Sequence, residues 1–159
     1  MRIGYGYDAH RLAPGRKCIL CGVEIPSDFG PDGHSDADVP VHALMDAMLG
    51  ALALGDIGKW FPDTDKKWEM ASSINMLKIV NDAVLEKDYL VGNIDITIIL
   101  QEPRLSSYIE KMRDIIANAL KTEISNISIK ATTEEKMGFT GDGSGIAATA
   151  VVLLERNND

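Results

Sequence analysis

The sequence predicts an α/β (α+β) fold: a single mixed β-sheet with helices packed on one face. Three observations carry this. Segments with two-residue apolar alternation recur along the chain, and stretches with helical apolar spacing lie between them. The run at 146–155 is apolar almost without interruption, the pattern of a strand covered on both faces. The chain has 159 residues, 45% of them hydrophobic. That is long enough for one domain, 1–159, with a real core, and too apolar for disorder.

The elements follow in order. Residues 2–12 read as a strand. Residues 17–26 read as a hairpin-like segment broken at Gly22, and 27–38 as a loop rich in Gly, Pro, Asp and Ser. A helix is predicted over 39–54, with Asp38 as N-cap and Pro40 in the first turn. Its apolar residues Val41, Leu44, Met45, Met48, Leu49 and Leu52 run nearly all the way round, so it belongs inside. After a loop at 55–68 comes a second helix over 70–87. Residues 93–101 set Ile94, Ile96, Ile98 and Leu100 against Asp95, Thr97 and Ile99, a strand with one clearly apolar face. A third helix over 106–121 gathers Ile109, Met112, Ile115, Ile116, Ala119 and Leu120 on one side. Strands at 126–132 and 146–155 complete the chain. One layer of helices covers only one face of a sheet, so the other face of the last strand needs a partner.

Composition excludes several functions. No apolar run is long enough to span a membrane. The start, Arg2-Ile3-Gly4-Tyr5, has no charged-then-apolar signal pattern. A formal net charge of −8 argues against nucleic acid and anionic membrane surfaces as partners. It also requires that a phosphorylated ligand be held by metal ions and local dipoles. Cys18 and Cys21 form one Cys-x-x-Cys in a strand-like context, without the helix opening of a redox motif or a second pair for zinc. They read as reduced structural thiols, which fits the cytoplasm.

Two segments concentrate chemistry near the start: Gly4-Tyr5-Gly6-Tyr7-Asp8-Ala9-His10 and His34-Ser35-Asp36-Ala37-Asp38-Val39-Pro40-Val41-His42. They hold all three histidines of the chain. On a strand, Asp8 and His10 project from the same face, and His42 falls just inside the predicted helix. Two imidazoles and a carboxylate are a ligand set for zinc with a position left open. Histidines at the surface without a metal fit the spacing equally well. Asp46, one helical turn after His42, can orient its imidazole or stand as a solvated carboxylate. Capping and turns account for Asp36 and Asp38. Asp63 and Asp65 flank a turn and fit either a turn role or contact with a substrate hydroxyl. A second segment, Lys130-Ala131-Thr132-Thr133-Glu134-Glu135-Lys136-Met137-Gly138-Phe139-Thr140-Gly141, ends a strand in hydroxyls and carboxylates. These can hold phosphate oxygens and a bridging cation, or form a plain polar loop. Gly141-Asp142-Gly143-Ser144-Gly145 lacks the Lys-Ser/Thr of a P-loop, and Gly4-Tyr5-Gly6 is no dinucleotide fingerprint.

Taken together, these segments, with Leu54-to-Asp65 and Gly92-to-Asp95, resemble the 2-C-methyl-D-erythritol 2,4-cyclodiphosphate synthase family. The matches run from end to end in the family's order. The resemblance implies conversion of 4-diphosphocytidyl-2-C-methyl-D-erythritol 2-phosphate to the cyclic 2,4-diphosphate with release of CMP, in the non-mevalonate isoprenoid pathway. It implies Zn2+ at Asp8, His10 and His42, and Mg2+ or Mn2+ at Glu135. His34 and Thr133 match the residues that stabilise the transition state. Ser35, Asp56, Ile57 and Gly58, with the loop Phe61, Pro62, Asp63, Thr64 and Asp65, match the pocket for the methylerythritol phosphate. Leu100, Gln101, Glu102, Pro103, Arg104, Leu105 and Ser106, with Ala131 and Thr132, match the cytidine pocket, and Glu134 and Phe139 also match substrate-binding positions. The family is a homotrimer with its sheets around the threefold axis and its sites between subunits.

The implied chemistry needs no strong general base, because a phosphate monoester with a second pKa of about 6 is already mostly dianionic at neutral pH. The task is to position and neutralise anions. Two other classes would share some of these residues: a zinc hydrolase using metal-bound water, and a metal-stabilised oligomer that binds nucleotides without turnover. One position departs from the family. Where it often carries an arginine facing a cavity on the threefold axis, this chain has Asp142, which implies weak binding of isoprenoid diphosphates there.

Overall fold

The computed structural model describes residues 1–157; the last two positions of the 1–159 domain lie outside the described residues. Its strands are β1 (Arg2–Pro14), β2 (Cys18–Leu20), β3 (Val23–Ile25), β4 (Phe29–Pro31), β5 (Tyr89–Ile99), β6 (Ile127–Thr132) and β7 (Gly145–Arg156). Its α-helices are α1 (Val39–Ala51), α2 (Ile57–Trp60), α3 (Ser73–Leu85), α4 (Ile109–Leu120) and α5 (Gly138–Gly141). A five-stranded mixed sheet has the order β4-β1-β7-β5-β6, and β2 and β3 form a separate hairpin. β7 is antiparallel to both β1 and β5, while β5 and β6 run parallel. The parallel pair requires a crossover, which α4 provides.

The core lies between the sheet and α1. Gly4 and Gly6 make their approach possible. An added Cβ would stand 1.8 Å from the Ala47 carbonyl oxygen at Gly4 and 1.9 Å from that of Ala43 at Gly6. No side chain fits at either position, so the helix backbone rests directly on the strand. All but two residues of α1 are buried, as its all-round apolar pattern requires. Asp38 caps its start by accepting from the Val41 N–H, and also accepts from the N–H groups of Cys21 at 2.8 Å and Gly22 at 2.7 Å. One carboxylate thus joins the β2–β3 turn to the helix. Burial, with Asp36 nearby, pushes the Asp38 carboxyl up to about 7, against the lowering effect of those N–H groups. Cys18 and Cys21 are buried and unpaired, and burial pushes both thiols up.

Several boundaries differ from the sequence reading. α1 ends at Ala51, three residues early, because Ala53 turns left-handed (φ 55°) and the N–H groups of Ala53 and Leu54 return to the carbonyls of Gly50 and Leu49. α3 and α4 are each trimmed at both ends, with Ser72 capping α3. β5 begins at Tyr89, with a register shift between Val91 and Asn93 that breaks the alternation and hides its first turn of pairing. β4 lies within the stretch expected to be loop; three residues are too few for a pattern, and its identity comes from pairing with Leu12–Pro14. Short helical turns at 57–60, 66–68 and 138–141 interrupt other predicted loops.

β7 follows the expectation that one layer of helices covers only one of its faces. Within this chain one face is buried from Ile146 to Leu154, and the other is buried at Ala147 but opens toward Val151. Ile146, Ala148, Ala150, Val152 and Leu154 are fully buried under the helices, while Val151 is 42% exposed. The register sets Val151 beside Tyr5 and Asp95, and Leu153 beside Ile3. Ile3, Tyr5 and Tyr7 are likewise exposed. The face away from the helices is therefore a largely apolar surface bordered by the Lys130–Asp95 ion pair at 2.5 Å.

Candidate active site

β1 continues the face of Gly4 and Gly6 with Asp8 and His10. Where the glycines end, the strand carries functional side chains toward the start of α1, and His42 meets them from the helix's first turn. Asp8 Oδ2 lies 3.1 Å from His10 Nε2 and 3.1 Å from His42 Nδ1. One potential ligand atom from each of the three side chains lies within 4.8 Å of the other two. The His10 Nδ1–H donates to the Asp32 carbonyl at 2.6 Å, which turns Nε2 toward Asp8. Burial alone would raise the Asp8 carboxyl, but hydrogen bonds from His10 and His42 hold it well below the usual carboxylate range. Two imidazoles and one low-pKa carboxylate, converging beside an open cavity, fit a divalent metal ion.

That cavity has a volume of about 460 Å³ and is lined by the cluster with His34, Ser35, Ile57, Gly58, Phe61, Asp63, Trp68 and others. Most of the predicted methylerythritol pocket is thus brought to the cluster. Asp56, Pro62, Thr64 and Asp65 do not line it. Asp56 caps α2 through the Lys59 N–H and Asp65 caps the turn 66–68 through the Lys67 N–H. The Asp65 carbonyl lies 3.4 Å from His34 Nε2.

The predicted cytidine residues form a second cavity of about 360 Å³, lined by Leu100, Gln101, Pro103, Arg104, Leu105, Ser106, Ile109, Ala131, Thr132 and Thr133. Glu102 faces a different cavity, shared with Asp142. The loop beyond β6 is shaped by Glu135, Lys136 and Gly138, all left-handed. There the Thr133 hydroxyl donates to Glu135 Oε1 at 3.1 Å. The Glu134 carboxylate accepts from Thr140, which draws it into its own loop. Phe139 is half exposed, against Gly145. Asp142 is exposed and accepts from the Ser144 N–H at 2.8 Å. No residue lines both the cluster's cavity and the second one, so His34 and Thr133 do not face one site within a single chain.

Asp46 does not support His42. Its carboxylate accepts from the Ile57 N–H at 2.8 Å and fixes the start of α2. Two serines reach the ring instead: Ser73, which sequence reasoning missed, and Ser35, which it assigned only to the substrate pocket. Ser73 Oγ lies 2.9 Å and Ser35 Oγ 3.2 Å from His42 Nε2, and Asp36 holds the Ser73 hydroxyl and N–H. Asp36 and Ser73 are 37 positions apart, so no local spacing signals the pair.

Residues 1–155 match the profile of the YgbB family. A 2-C-methyl-D-erythritol 2,4-cyclodiphosphate synthase of Clostridioides difficile (strain 630) is 57% identical over 154 residues, 97% of this chain and 96% of that one. A solved 2C-methyl-D-erythritol-2,4-cyclodiphosphate synthase in a CDP-bound form superposes with a TM-score of 0.89 at 37% identity, over 97% of this chain and 100% of the other. The bifunctional IspDF of Campylobacter jejuni superposes with a TM-score of 0.94 at 41% identity. The match covers 98% of this chain, which spans 42% of that longer protein.

The hydrogen bond to Asp8 raises the His10 imidazole above 6.5, with burial acting against it and Asp32 adding to the rise. Its contribution to folding stability is therefore complete below 6.5 and is lost as the pH climbs through the raised value. Proton NMR of the metal-free protein should show His10 titrating above 6.5, and Asp8→Asn should bring it back down. A wild-type midpoint at or below 6.5 would contradict the arrangement.

Proposed function

The chain belongs to the YgbB family, and on that premise we propose that it is a 2-C-methyl-D-erythritol 2,4-cyclodiphosphate synthase. It is a lyase of the non-mevalonate isoprenoid pathway, converting 4-diphosphocytidyl-2-C-methyl-D-erythritol 2-phosphate to the 2,4-cyclodiphosphate and CMP. The observation that carries the reading is the Asp8–His10–His42 cluster beside an open cavity in a chain 57% identical to a protein so named.

Asp8, His10 and His42 would hold zinc, and Glu135 a magnesium or manganese ion; both would supply positive charge to phosphate oxygens. The remaining work belongs to the chain and the substrate. An oxygen of the substrate's own 2-phosphate forms a bond to the phosphorus attached to the methylerythritol. The bond from that phosphorus to the bridging oxygen breaks, and the electron pair leaves with CMP. The nucleophile is already an anion, so no side chain must deprotonate it. What remains is alignment of two anionic groups and stabilisation of the charge that shifts between them. His34, on the wall of the cluster's cavity, and the Thr133 hydroxyl would donate to those oxygens. Ser35, Ile57, Gly58, Phe61 and Asp63 hold the methylerythritol phosphate, joined by Asp56, Pro62, Thr64 and Asp65 around the same loop. The base of the nucleotide fits between the apolar walls of Leu100, Pro103, Leu105 and Ala131, consistent with CDP in the related structure. Gln101, Glu102, Arg104, Ser106, Thr132, Glu134 and Phe139 complete the nucleotide side.

The assembly follows from two features. The metal-side and nucleotide-side cavities share no lining residue, and Ile3, Tyr5, Tyr7 and Val151 stand exposed on the helix-free face of the sheet. A homotrimer with its sheets around the axis covers that face and lets one subunit's nucleotide pocket meet its neighbour's metal cluster. Among the described residues no helix is long and apolar enough to cross a membrane. Two buried unpaired thiols suit the cytoplasm.

Phosphorus NMR should show the cyclic diphosphate rising in step with CMP when both metals are supplied. Glu135→Gln should weaken the response to magnesium or manganese while zinc content stays near one per chain. Open-chain phosphates as products would indicate a hydrolase, and equal loss of both metals would undo the division of roles. Light scattering at micromolar concentration should return a trimer, whereas a stable, active monomer would contradict the shared-site reading.

A further inference from the structure

We propose that Asp36 and Ser73 are positioning residues that fix which nitrogen of His42 faces the metal. The inference rests on the metal-site reading above and extends it to residues that touch neither metal nor substrate. Asp36 Oδ2 accepts from the Ser73 N–H at 2.9 Å, and its other oxygen accepts from the Ser73 hydroxyl. A serine hydroxyl has one proton, and an ionised carboxylate can only accept. The Ser73 proton is therefore committed to Asp36. What Ser73 Oγ offers His42 Nε2, at 2.9 Å, is a lone pair, so Nε2 must carry the hydrogen. Nδ1, whose hydrogen faces Asp8 at 3.1 Å in the metal-free chain, is then the nitrogen at which a metal would take the proton's place.

Ser35 Oγ is a second and longer acceptor for the same N–H, at 3.2 Å, and itself accepts from the Ala37 N–H. Its own proton is then left toward the cavity that Ser35 lines. Burial raises the importance of this network. Ser73 is fully buried and His42 nearly so, so water does not readily replace a lost partner. The relay is also held in place from outside. The Asp36 N–H donates to the Ala71 carbonyl at 3.1 Å, and the Met70 N–H to the His34 carbonyl at 2.9 Å. These bonds staple the loop carrying His34, Ser35 and Asp36 to the start of α3, whose first residue is Ser73.

The test uses the full chain. Ser73→Ala keeps the backbone N–H to Asp36 and removes only the hydroxyl. Chelator competition should show its zinc Kd raised by about 10- to 100-fold over wild type, the usual cost of losing a partner behind a metal-bound imidazole. Long-range nitrogen–proton NMR of the zinc-loaded wild type should show His42 protonated at Nε2 and slow to exchange, with exchange accelerated in Ser73→Ala. Asp36→Asn, whose side chain meets Ser73 and the Asp38 N–H but not the His42 ring, should move both readouts the same way and covers the case in which Ser73→Ala folds poorly. Wild-type zinc binding with an unchanged Kd and exchange rate in either folded variant would overturn the relay and leave the metal site standing. Protonation at Nδ1 in the zinc-loaded protein would also overturn it. Failure of the wild type to bind zinc would instead remove the metal reading and the relay with it.

Discussion

The contact of α1 with β1 at Gly4 and Gly6 is the constraint on which the rest depends. A helix normally stands off its sheet because side chains fill the gap between them. Here the strand presents no side chain at those positions, and a Cβ at either would fall within 2 Å of a helix carbonyl. Backbone meets backbone. The close approach positions the first turn of α1, and so His42, against the next two residues on the same strand face, Asp8 and His10. The three candidate ligand atoms, within 4.8 Å of one another, are in this way brought together by the packing of β1 and α1.

The polar groups around the cluster complete the placement. Asp38 joins the hairpin, its own loop and the helix start through three backbone N–H groups. Asp46 fixes α2, which brings Ile57 and Gly58 to the cavity wall. Asp36 reaches α3 and, through Ser73, the far side of the His42 ring. Three aspartates on or beside one helix thus hold three different neighbours. None of the buried side-chain nitrogens and oxygens of the described residues lacks a hydrogen-bond partner. Satisfied networks of this kind keep an imidazole in one orientation, because any rotation strands a buried donor or acceptor.

Sequence periodicity disclosed the larger elements for a physical reason: β5, β7, α1 and α4 are long enough to repeat their burial pattern several times. β4 and the turn 57–60 are too short for that, and what creates them is a partner distant in sequence or a single capping carboxylate. Asp8 and His10 were legible as neighbours because a strand places i and i+2 on one face. The convergence of His42 needed the fold. The role of Asp36 was hidden, since its partner Ser73 belongs to another helix, and Asp46 drew attention by spacing alone although its carboxylate turns the other way. The apolar run in β7 signals two apolar faces, of which one helix layer covers one, and Val151 stands exposed beside Tyr5 on the other.

The central claim is that this packing assembles one metal site from Asp8, His10 and His42, with His42 ligating through Nδ1. The most direct measurement is a crystal structure of the zinc-loaded protein with anomalous diffraction collected on both sides of the zinc edge. The account predicts one strong anomalous peak per chain, in contact with Asp8 Oδ2, His10 Nε2 and His42 Nδ1, with His42 Nε2 still on Ser73. A peak elsewhere, or zinc bound through His42 Nε2 with the ring turned away from Ser73, would contradict it.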